Sequence, residues 1–222
     1  MGGARVNTLQ SIWNGLDWSY LLNIVLSVVP SLLCITFHEV SHGYVAYRLG
    51  DTTAKDAGRL TLNPLKHIDP MGLLMMVVFK FGWAKPVPVN PNYFKKPKQG
   101  MALTALAGPV SNFLLALLML LAARIFCDVA AYSEANQRIL DFLLMVALLS
   151  IGLGLFNLLP IPPLDGSKVV AILLPDRLYV QLMRYERYGM ILLLLLSWLG
   201  LTGNLIGNAI MGVYCFLLNL FF

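Results

Sequence analysis

The chain has 222 residues, of which 58% are apolar and only 12% charged, and its mean hydropathy is +0.73. An average soluble domain is about 25% charged, and a water-soluble globule of this size could not hide so much apolar surface. Intrinsic disorder is excluded by the same figures, and three cysteines are too few for a disulfide scaffold. What remains is a polytopic membrane protein, expected to be one integral-membrane domain over residues 1–222. The net charge of +5 does not gather into a basic face with interleaved aromatics, so no nucleic-acid partner is expected.

In chain order, Met1 to Gln10 holds one Arg and neither an apolar core nor a small-residue cleavage site, so no cleavable signal peptide is expected there. The first long apolar run is Trp18 to Leu49, longer than one bilayer crossing as a helix. Pro30 is a candidate kink, and Gly50 a candidate helix cap. Residues 51–100 are polar and rich in turn formers, with Pro86, Pro88, Pro91 and Pro97 in the second half. Met71 to Phe79 is apolar but too short to span. This region reads as strands and loops at the membrane face, where irregular backbone must line a cavity or lie buried in protein.

A second span is expected over Met101 to Phe126, with Gly108 and Pro109 read as marking a tight helix start. A polar loop follows over residues 127–138. The third run, Ile139 to roughly Leu174, is broken by NLLPIPPLDGSK, whose prolines and glycine interrupt a helix. After the polar segment 175–188, a C-terminal hydrophobic region covers 189–222, either as two short spans or as one span with a re-entrant piece. The fold class is thus all-α and polytopic, with about four to six transmembrane helices, a broken helix and a small β/loop segment.

Charge sets the expected topology. Segments 48–100 and 175–188 hold 9 and 3 of the 16 Lys and Arg residues, whereas Arg5, Arg124 and Arg138 lie in the other loops. The two basic segments are therefore expected on the cytoplasmic side.

His38, Glu39 and His42 form H-E-x-x-H. On a helix the two imidazoles share one face and can hold one metal ion, while Glu39 can reach a water beside it. Three ionisable groups so close together are costly in lipid, which points to function. A catalytic zinc takes three protein ligands and keeps one open position. The candidates for the third are His67, Asp141 and Asp165. Asp141 falls on the opposite side of the bilayer, whereas Asp165 lies in the broken helix at the depth expected for His38. A carboxylate there is satisfied by a cation. One Zn²⁺ held by His38, His42 and Asp165 is therefore expected. Cys34, on the His38 face, is read as packing, because coordination would close the open position.

HEVSH, AGPVSN and NLLPIPPLDG together resemble the site-2 protease family of intramembrane zinc metalloproteases. GRLTLNPLKHIDPMG and FGWAKPVPVNP resemble the connecting segment of its short prokaryotic branch without a PDZ domain. The resemblance covers about residues 20–175. It implies that His38, His42 and Asp165 bind zinc, that Glu39 is the general base, and that Asn157 assists near the reacting carbonyl. It also implies a catalytic core at about 18–175, a multi-pass protein of the prokaryotic plasma membrane, and an active site toward the cytoplasm. The expected partners are the lipid bilayer and a transmembrane protein or peptide substrate, cut in or near its membrane segment. Val87 to Asn90 is a candidate strand for pairing with an unwound substrate. Two other classes compete: an ion or small-solute transporter using intramembrane His and Asp, testable by flux in liposomes, and an inactive substrate-binding relative, testable by a protease assay.

Overall fold

The computed structural model describes residues 18–79, 84–182 and 203–222, together with Arg184, Gly189 and Leu195. The expectations for Met1 to Gln10 and for most of 185–202 fall outside the described residues. The described elements are helices α1 (Trp18–Arg48), α2 (Thr53–Asp56), α3 (Pro70–Phe79), α4 (Pro97–Val129), α5 (Glu134–Asn157), α6 (Asp165–Val170) and α7 (Gly203–Phe221). Short 3-10 turns occupy Pro64–Lys66, Pro91–Tyr93 and Ala171–Leu173.

The first apolar run is one helix that carries Pro30 within it. It stops where the sequence expects. The Asp51 N–H donates to the Ala46 carbonyl at 3.0 Å and the Gly50 N–H to Tyr47 at 3.1 Å, with Gly50 at φ +108°. This closing turn needs a left-handed residue, which glycine supplies without a Cβ penalty.

Helix α4 is the centre of the bundle. It packs most extensively against α5, then against α1 and α6. One of its faces is buried, including Thr104, Gly108, Asn112, Ala116, Leu120 and Ala123. Small residues there let the helix backbones approach closely. Ala116 and Leu120 meet Ala147 and Ile151 of α5 in one core cluster, and Ile210 and Tyr214 of α7 pack against it. The other face of α4 is exposed and apolar. Leu103, Leu106, Val110, Leu114, Leu118, Leu121 and Ile125 recur every three or four residues and all face outward. Such a continuous apolar stripe is a surface for lipid rather than for water. Helices α4 and α5 are long and apolar enough to cross a membrane.

Three expectations are corrected. The segment 51–100 contains no strand ladder among the described residues, only the isolated bridge between Ile68 and Ala84. Its apolar stretch is helix α3, because a short apolar run bounded by turns fits either a helix or a strand by pattern alone. Helix α4 begins at Pro97 rather than Met101, so Gly108 and Pro109 lie in its interior and not at its start. Proline fits a helix's first turn because its missing N–H would have no partner there. The polar loop after α4 is also shorter than expected. Ser133 caps α5 by accepting from the Asn136 N–H at 3.2 Å, so the helix starts at Glu134.

The third run is broken as expected. Helix α5 ends at Asn157, and the chain resumes helical geometry at Asp165. Gly166 is required at this restart: a Cβ there would fall 2.1 Å from the Leu158 carbonyl oxygen.

Candidate metal centre

Two helical turns and one helix start converge. His38 and His42 lie one turn apart on α1, and Asp165 opens α6 after the break. The Oδ2 atom of Asp165 is 3.0 Å from His38 Nε2 and 3.3 Å from His42 Nε2. One donor atom from each of the three residues lies within 4.8 Å of the others. Both imidazoles are buried. A tetrahedral zinc with bonds of about 2.0–2.2 Å separates its ligand atoms by roughly 3.3–3.5 Å, so the observed spacing fits that ion with little movement.

The second nitrogens of the imidazoles support the same fit. His42 Nδ1 lies 2.7 Å from the Thr104 carbonyl oxygen on α4. A carbonyl only accepts, so His42 carries a proton on Nδ1, and the neutral ring then keeps its Nε2 lone pair for a metal. Gly108 lies between the two rings. A Cβ on it would stand 2.5 Å from His42 Nε2 and 2.6 Å from His38 Cε1. No other residue leaves room for both imidazoles at this point.

Glu39 stands in the same pocket, a cavity of about 320 Å³ that also takes in Val87, Asn157 and Lys168. Its Oε2 accepts from the Val87 N–H at 2.8 Å. Val87 belongs to an irregular strap, residues 85–90, that lies against α1 at Glu39 and Gly43. Val87 seats on Gly43, where a Cβ would come within 3.0 Å of the Val87 side chain and 2.7 Å of Leu60. Asp51, fully buried, holds the far end of the strap: its Oδ2 accepts from the Asn90 N–H at 2.6 Å, and its Oδ1 accepts from the Thr53 N–H at 3.0 Å. At the near end, Arg59 Nη2 donates to the Lys85 carbonyl at 2.6 Å, and the Lys85 N–H donates to the His67 carbonyl at 3.0 Å.

Of the residues singled out in the sequence, His38, Glu39, His42, Asn157 and Asp165 all border one cavity. Asn157 donates through Nδ2 to the Leu153 carbonyl at 2.9 Å, one turn back on its own helix. The other two candidate ligands lie elsewhere. His67 is buried with Nε2 2.9 Å from the Thr61 carbonyl, and Asp141 accepts from Gln137 at 2.9 Å on the exposed start of α5. Cys34 is packed against α5, receiving the Ser150 hydroxyl at 3.1 Å. Sequence reasoning missed Thr104, read Gly108 as marking a helix start, and left the role of Asn112 open. Their four-residue spacing, Thr104, Gly108, Asn112, is the signal that one face of α4 lies against the imidazoles.

The fold thus sets a candidate His–His–Asp metal centre, with a carboxylate beside it, within a bundle of apolar helices, a donor set suited to a metallohydrolase. Comparison with known proteins agrees. The family described as Peptidase family M50 matches residues 124–197, the stretch that includes the broken helix and Asp165. "Putative zinc metalloprotease YwhC" of Bacillus subtilis (strain 168) is 44% identical over 174 residues, which cover 76% of this chain and 78% of that protein. "Putative zinc metalloprotease Rip2" of Mycolicibacterium smegmatis is 35% identical over 155 residues, 67% of this chain and 57% of that one. "Zinc metalloprotease MJ0392" of Methanocaldococcus jannaschii is 24% identical over 164 residues, covering 37% of its length. No solved structure matches. The chain belongs to peptidase family M50, the site-2 proteases. It is a site-2-type zinc metalloendopeptidase of the membrane.

Proposed function

We propose that this protease cuts peptide bonds in or near transmembrane segments of other membrane proteins, with Zn²⁺ held by His38, His42 and Asp165. The observation that carries the reading is the convergence of those three donor groups in a pocket that also contains Glu39. When bound, the metal supplies Lewis acidity and makes water nucleophilic at neutral pH.

The chain's own residues do the rest. Glu39 takes a proton from the attacking water on its carboxylate and returns it to the leaving amine. The Val87 N–H engages Oε2 and fixes the carboxylate's aim, leaving the second oxygen for the proton. Asn157, in the pocket wall, donates to the developing oxyanion through the Nδ2 hydrogen that the Leu153 carbonyl does not take, a role its position in the cavity lining supports. The strap 85–90 offers extended backbone along which an unwound substrate segment can pair.

The protein crosses the membrane about four to six times as a single domain. The basic segments 48–100 and 175–188 and the metal centre lie toward the cytoplasm. The irregular backbone beside the metal is what lets water reach a site at membrane depth.

The test is Glu39→Gln. Glutamine keeps an oxygen for the Val87 N–H but cannot carry the proton. Zinc content should stay at the wild-type level, and cleavage of a membrane-embedded substrate in liposomes should fall by about 100-fold or more. Cleavage at the wild-type rate would remove Glu39 from the mechanism.

A further inference from the structure

Asn112 is fully buried on α4, two turns beyond Thr104. Its amide nitrogen lies 3.2 Å from His38 Nδ1, the ring nitrogen that faces away from Asp165. In that orientation its Oδ1 is sealed from solvent and meets no donor among the described residues. A buried amide oxygen with no partner is costly, about 1–3 kcal/mol. The oxygen and nitrogen of a side-chain amide are exchanged by a half-turn, and the hydrogen-bond network decides between them.

We infer that Asn112 is a positioning residue of the metal centre: its side-chain oxygen accepts from the Nδ1–H of His38 and so keeps the lone pair of Nε2 directed at the metal. The inference rests on the reading of His38 as a zinc ligand. With the amide nitrogen toward His38, Nδ1 would have to accept, and the ring's proton would sit on Nε2, where the metal binds. With the oxygen toward His38, the orphaned acceptor gains a donor and Nε2 is free. The neighbouring ligand is held in the same way, since the Thr104 carbonyl admits only the Nδ1–H form of His42. Helix α4 then sets both tautomers from a single face, His42 through its backbone at 104 and His38 through its side chain at 112. Gly108, midway between them, leaves room for both rings.

The experiment compares Asn112→Leu with Asn112→Asp in the full-length protein in detergent. Zinc affinity is read by competition with a chelator, and the ring tautomers by ¹⁵N NMR of histidine-labelled protein, which has only three histidines to assign. Leucine offers no acceptor and should weaken zinc binding about 10–100-fold. Aspartate is an acceptor only, and should bind zinc within about tenfold of wild type or tighter. In wild type the His38 ring should carry its proton on Nδ1 when zinc is bound. Zinc affinity unchanged in Asn112→Leu, or lost equally in Asn112→Asp, would overturn the inference, as would a His38 ring protonated on Nε2 in the zinc-loaded wild type. If Asn112→Leu fails to fold, the aspartate variant and the wild-type spectrum still decide. His38→Ala separates the two levels. If it binds zinc as wild type does, the ligand assignment itself fails; if it loses zinc while Asn112→Leu keeps it, only the role of Asn112 fails.

Discussion

The candidate metal centre is built against two unlike supports. On one side is helix α4, a regular rail that meets the imidazoles with a carbonyl at 104 and a glycine at 108. On the other is the strap 85–90, which has no repeating hydrogen-bond ladder and is held at its ends by side chains, Asp51 on Asn90 and Arg59 on Lys85. A helix satisfies its own backbone, so it can be buried at membrane depth without help. The strap cannot, and two of its N–H groups, those of Val87 and Asn90, are met by the carboxylates of Glu39 and Asp51 instead. The difference teaches a division of labour: the rail holds the two imidazoles in place, and the strap presents peptide backbone beside them.

The sharpest way to break the rail is Gly108→Ala. The new methyl would stand 2.5 Å from His42 and 2.6 Å from His38, against rings already tied to α4 and close to Asp165. Overpacking of this kind costs about 1–3 kcal/mol. Zinc affinity by chelator competition should fall by at least about tenfold, and cleavage with it. The matching change in the strap is Asp51→Asn. One of the buried acceptors is replaced by an amide nitrogen facing an N–H, which costs about 1–3 kcal/mol. Cleavage should fall about tenfold while zinc affinity stays at wild type, and the Asn90 amide should exchange faster with deuterium. If Asp51→Asn also releases zinc, the two supports are not separable.

The same contrast governs what the sequence made legible. His38, Glu39 and His42 were readable because their spacing alone puts the two imidazoles on one helical face. Asp165 was readable because a carboxylate inside a proline-broken apolar run needs a cation or a partner. Thr104 and Gly108 were not. Their part depends on where α4 crosses α1, and a backbone carbonyl leaves no trace in residue type. Asp51 opens the polar segment 51–100, yet it is fully buried, because the strap folds back over it and donates the Asn90 N–H to its carboxylate, a long-range contact that residue type does not reveal. Helix α3 is not legible as a helix in the sequence because its apolar run has no polar face from which to count a period. The early start of α4 had a local sign, Pro97 at its first turn, which the lysines around it obscured.

The most direct measurement is X-ray absorption at the zinc edge on the purified, full-length protein. Coordination by His38, His42 and Asp165 predicts one zinc per chain with two imidazole nitrogens and carboxylate or water oxygens at about 2.0–2.2 Å and no sulfur. An Asp165→Ala variant should lose an oxygen from that shell or lose the metal. A sulfur shell at about 2.3 Å, or an unchanged spectrum and zinc content in Asp165→Ala, would contradict the account.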